Sequence, residues 1–147
     1  MVSYVLVVVD GLPTVVKVNN ENPALYVERN YCSRFKAERP IRCYVQAVYD
    51  SSYLETMPRA HVIVRCDGKI IKDNLIVLED AKEVEDVREL YEQDYPYCNV
   101  TVGLHFISEL EYIIAHFYQI NLGLDTTAAI ARSHAVVAGI VDLTEKR

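Results

Sequence analysis

Apolar and polar positions along the chain change period several times, and the changes delimit the elements. Residues 5–9 (Val-Leu-Val-Val-Val) form a continuous apolar run, the pattern of a strand covered on both faces. Asp10-Gly11 is a hairpin signal, and residues 14–18 return as a second strand. Asn22-Pro23 reads as an N-cap followed by the first helical residue, opening a helix through about Lys36. Its apolar positions Leu25, Val27, Tyr31, Cys32 and Phe35 recur at helical spacing. Pro40 closes that unit, and residues 41–49, β-branched and aromatic, predict a third strand.

The pattern then recurs. Residues 60–66 form a strand, Asp67-Gly68 a turn, and residues 69–72 a returning strand that extends toward 75–78. Residues 79–93 carry a helical stripe of Val84, Val87, Leu90 and Tyr91, and residues 99–106 a last strand. Val5-Leu6-Val7 stands before one Asp-Gly as Val62-Ile63-Val64 stands before the other, which suggests a ββαβ pseudo-repeat. Two helices complete the chain. Ser108 with Glu111 has the spacing of a capping box for a largely apolar helix ending near Gly123. Asp125 caps a second, alanine-rich helix over 126–138 that stops at Gly139. The expected fold class is α+β: a mainly antiparallel sheet with helices packed on it and a C-terminal helical pair. A chain of 147 residues suits a single domain, with 1–106 as its α/β core and 107–147 as a helical part of the same domain.

Composition changes this picture little, since 51% hydrophobic and 24% charged residues describe an ordinary globular chain. No apolar run approaches the about 18–20 residues of a membrane span, so no membrane partner is expected. The start lacks the basic region and cleavage site of a signal peptide. Cys32, Cys43, Cys66 and Cys98 include no closely spaced pair, which predicts buried reduced thiols in a cytoplasmic protein; the competing expectation is a disulfide in a thermophile's protein. Only three Gln in the chain fit a thermophilic source.

Charge matters more. The formal net charge of -6 argues against a uniformly basic nucleic-acid coat. The charges are segregated, however: residues 29–43 sum to +4 and residues 79–94 to -6. The basic segment interleaves cations and rings. Arg34, Phe35, Lys36 and Arg39 lead into Arg42 and Tyr44, and Arg42, Tyr44 and Gln46 alternate with Ile41, Cys43 and Val45. One strand face would then present a cation, an aromatic ring and an amide, a surface suited to the phosphates and unpaired bases of single-stranded DNA or RNA. The bland reading of the same residues is a solvated helix end with Tyr44 in the core.

Eleven Tyr against three Phe and no Trp suit half-exposed aromatic surfaces, and Tyr49, Tyr53, Tyr91, Tyr95 and Tyr97 could extend a stacking surface. The acidic helix and the small-residue helix together suggest a homo-oligomer, so an assembly protein is the alternative function. A third is a small nuclease or hydrolase using His61 as general base, with Arg59 on phosphate and Glu55 nearby. The four histidines are otherwise isolated, and no metal-ligand, phosphate-loop or dinucleotide motif occurs. No cofactor, metal or catalytic residue is therefore assigned.

Overall fold

The computed structural model describes residues 1–36 and 41–144, and these divide into two compact units, 1–54 with 110–144 and 55–109. The fold class is α+β, with two mostly antiparallel sheets and a C-terminal helical pair.

In the first unit, β1 (Val2–Val9) and β2 (Leu12–Asn19) form a hairpin in full register from Val2↔Asn19 to Val9↔Leu12. Asp10 (φ 51°) and Gly11 (φ 83°) both occupy the left-handed region that a tight two-residue hairpin requires. Asp tolerates this conformation and Gly adopts it without steric cost, so the Asp-Gly dipeptide sets the turn. Helix α1 (Pro23–Asn30) starts as expected: the Leu25 amide donates to Asn22 Oδ1 (3.3 Å), and Pro23 occupies the first helical position. It is shorter than its apolar stripe predicts, because a 3-10 segment over Cys32–Lys36 takes up the remainder. Strand β3 (Cys43–Tyr49) pairs antiparallel with β1 on the side away from β2, so it forms an edge of the sheet.

The second unit repeats this connectivity. Strands β4 (Thr56–Cys66) and β5 (Lys69–Val77) form the hairpin, with Asp67 (φ 54°) and Gly68 (φ 78°) at its turn. Helix α2 (Val84–Asp94) follows a short 3-10 turn capped by Asp80, and β6 (Asn99–Ser108) pairs with β4. The strand orders β3-β1-β2 and β6-β4-β5 are equivalent. The correspondence extends to side chains: Val5 and Val7 belong to the core that contains Val27 of α1, while Val62 and Val64 belong to the core against which Val84 and Val87 of α2 pack.

The units differ on the other face of the sheet. In the first, α3 (Glu109–Leu122) and α4 (Thr126–Ala138) bring Leu110, Ile114, Tyr118 and Ala129 against Leu6 and Val15. Strand β1 is thereby sandwiched, and Val5, Leu6, Val7 and Val8 are all buried, as a continuous apolar run predicts. Asp125 accepts from the Ala128 amide (2.8 Å) at the start of α4, and Gly139 ends it. A two-residue β7 (Val141–Asp142), not marked by any pattern in the sequence, pairs parallel with β2.

The expectation of free thiols is overturned. Cys32 is bonded to Cys43 and Cys66 to Cys98, with Cα atoms 5.3 and 4.6 Å apart. The spacing argument failed because both bridges join residues that tertiary structure makes adjacent. Pairing of Arg65 with Asn99 sets Cys66 beside Cys98, and the 3-10 segment sets Cys32 beside the first residue of β3. The cysteines therefore lend no support to a reducing compartment. Among the described residues, no helix is long and apolar enough to cross a membrane.

Candidate nucleic-acid interface

Strand β3 positions the centre of the predicted surface. Its exposure alternates, with Arg42, Tyr44 and Gln46 outward between less exposed Ile41, Cys43 and Val45. The Asp10 amide donates to the Arg42 carbonyl (2.7 Å), anchoring the strand entry on the β1–β2 turn. The Arg42 guanidinium lies over the Tyr44 ring, 5.5 Å from its centroid, and Tyr44 keeps 41% of its surface exposed. A cation–π contact at an exposed site is worth about 0.5–1 kcal/mol, enough to orient both groups and weak enough to yield to a ligand.

The basic segment, a ledge of cations and rings along β3 and its approach, is split between the two faces of the sheet. Phe35 packs on the core under α1, and its ring meets Tyr31 edge-on at 5.3 Å. The Arg34 guanidinium lies over the Tyr31 ring, 5.7 Å from its centroid. Burial raises the Tyr31 phenol above its ordinary pKa, and Arg34 partly offsets the rise. Arg42 and Tyr44, by contrast, share the face of Val8 and Leu6, on which α3 packs. The Ile41 amide donates to the Phe35 carbonyl (3.2 Å), tying the 3-10 segment to the residues that lead into β3. Arg39 and the Lys36 side chain lie outside the described residues.

A β-bulge sets the course of the strand beyond Tyr44. Leu6 pairs with Ala47 but Val7 with Val45, so Gln46 is an extra residue on β3. Bulges re-aim side chains, and here Gln46 and Ala47 both line an open groove between β3 and α3. Ile113, His116, Phe117 and Asn121 form its other wall, and its volume is about 240 Å³. No local pattern announces this groove, because its two walls are some seventy positions apart in the chain. A larger depression of about 510 Å³, between Met1, Ser3 and the segment Asn19–Pro23, has neither an aromatic ring nor a basic side chain.

Of the other tyrosines, only Tyr49 lines the groove. Tyr49 and Tyr53 contact each other (4.8 Å between centroids) and pack on the α3 core; burial, then Tyr53, raises the Tyr49 phenol. Tyr91 and Tyr95 pack on the core of the second unit, and Tyr97 alone of these stands fully out.

His61 occupies a different kind of site. It is 7% exposed, and its Nε2 lies 2.6 Å from Asp73 Oδ1 on β5 rather than beside Glu55. Arg59, also buried, pairs with Glu109 at 2.6 Å. His105 stands across from Arg59 on β6, its ring 5.9 Å from that of His61. Desolvation, then the neighbouring His61, lowers the His105 pKa below its ordinary 6.5. A buried histidine already held by a carboxylate has the character of a satisfied structural group. His134 Nδ1 similarly meets Glu111 Oε2 at 2.9 Å, between α4 and α3. Among the described residues no cluster of His, Cys, Asp and Glu is arranged to hold a metal ion.

No family model, no curated protein and no solved structure matches the chain.

Proposed function

We propose that the protein binds single-stranded nucleic acid, DNA or RNA, along the β3 edge of its first unit, without catalysis. The observation that carries this reading is the exposed Arg42–Tyr44 pair beside an open groove. A guanidinium plane over a tyrosine face offers two stacking surfaces for an unpaired base and one positive charge for its phosphate. Arg34 supplies a second exposed cation at the same edge. Duplex DNA is a poorer fit, because its bases are already stacked and its groove recognition calls for a protruding helix or ribbon.

The test is fluorescence anisotropy of a labelled single-stranded oligonucleotide at low and moderate salt. Binding at low salt that weakens as salt rises is expected, since phosphate contacts release counterions. Absence of binding at low salt removes the proposal. Light scattering on the same sample reports whether one copy or several form the binding unit.

A further inference from the structure

Resting on that reading, we infer that the groove between β3 and α3 is a nucleobase pocket, taking one unpaired base of the strand whose phosphates lie on Arg42. Three observations point to this occupant. The groove holds about 240 Å³, below the about 300–1,000 Å³ of pockets for drug-sized ligands, so it suits a single planar ring system. Its walls combine apolar Leu6, Ile113 and Phe117 with amides and an imidazole from Gln46, Asn121 and His116. This is the composition that stacks a base and reads its hydrogen-bonding edge. No carboxylate lines it, and the Arg42 cation stands just before the same strand, over the ring of Tyr44. Anionic backbone and neutral base are thereby assigned to different parts of one continuous surface.

The strand geometry gives the order of contacts. Tyr44 and Gln46 are two residues apart, roughly 7 Å along β3. One nucleotide stacks on the Arg42–Tyr44 pair and its neighbour turns into the groove. The bulge at Gln46 is what makes this turn available, by directing both Gln46 and Ala47 into the cleft. Asn121 Nδ2 donates to the Phe117 carbonyl (3.1 Å), which holds the amide at the groove's rim.

The experiment compares, at one low salt concentration, the four single-stranded homo-oligonucleotides, an abasic sugar–phosphate oligomer of equal length, and a duplex. Base-bearing single strands are expected to bind about tenfold or more tighter than the abasic oligomer, from one or two stacked bases. The four bases should also rank differently. The double variant Gln46→Ala/Asn121→Ala, at two exposed positions, should flatten that ranking and leave abasic binding unchanged. Equal binding of abasic and base-bearing strands, both weakened by Arg42→Glu, overturns the pocket and leaves the phosphate ledge standing. A base advantage that Tyr44→Ala removes but the double variant preserves also overturns it. Failure of every oligomer to bind removes the nucleic-acid reading itself.

Discussion

Arg42 and Tyr44 illustrate how two exposed residues can be preorganised at small energetic cost. Their contact spans 5.5 Å on an edge strand, and neither residue belongs to a core cluster. Tyr44→Ala should therefore leave the denaturation midpoint nearly unchanged while weakening oligonucleotide binding by about 1–3 kcal/mol, the usual worth of one stacked base. Anisotropy and urea denaturation on the same preparation separate the two effects. His105 offers a prediction of the opposite kind, on stability alone. Its folded pKa lies below 6.5 because burial and His61 disfavour the imidazolium. The unfolded chain then binds more protons than the folded one between the folded value and 6.5, so stability rises with pH in that window. The contribution is complete above about 6.5 and is lost as pH falls through the folded value. Urea midpoints at pH 7.5 and 5.5 should differ less in His105→Gln than in the parent.

At the scale of elements, α3 supports both the core and the groove. Leu110 and Ile114 are fully buried against Leu6 and Val15, while Ile113 and Phe117 face the cleft from the same helix. Leu110→Ala should cost about 2–5 kcal/mol in chemical denaturation, the range for a buried leucine deletion. The bridge between Cys32 and Cys43 closes a loop over a separation of 11 residues that contains Arg34, Lys36, Arg39 and Arg42. Chain-entropy arguments give about 3 kcal/mol for a loop of this size. Thiol titration under denaturing conditions should find no free thiol until reductant is added. Cys32→Ala/Cys43→Ala should then lower stability by roughly that 3 kcal/mol.

Much of the element order was legible in the chain because its signals are local. Asp10-Gly11 and Asp67-Gly68 encode turns through backbone sterics, Asn22 and Asp125 satisfy the first helical amides, and the apolar run of β1 follows from cover on both faces. The ends of α1 and α2 were less legible, since 3-10 segments have nearly the same spacing of apolar positions as the α-helices they flank. The groove and the two bridges were not legible at all: Gln46 meets the α3 wall, and Cys66 meets Cys98, only through folding.

For the whole molecule, net charge is a weak guide to partners. The total of -6 equals the sum over residues 79–94, while the basic segment and the remaining chain cancel. The eight carboxylates of that acidic stretch belong to the second unit and the ledge to the first. Binding should accordingly respond to the ledge's local charge. For single strands, log K falls with log salt at about -0.7 per phosphate contact. Arg34 and Arg42 alone would give a slope of about -1.4, and all four loop cations about -2.8. A markedly steeper slope in a salt titration would place phosphate contacts beyond residues 34–42.

The sequence by itself determined the hairpins, the starts of α1 and α4, the ββαβ repetition and the alternation that turns Arg42, Tyr44 and Gln46 outward. Each follows from the sterics and hydrogen bonding of residues a few positions apart. Only the tertiary structure decided that Arg34 and Phe35 lie on the opposite sheet face from Arg42 and Tyr44, that the cysteines pair, and that α3 completes a groove at Gln46. Those outcomes depend on which strand becomes an edge, where the bulge falls and which helix covers each face. They are packing choices settled by burial across the whole unit, and no local pattern carries them.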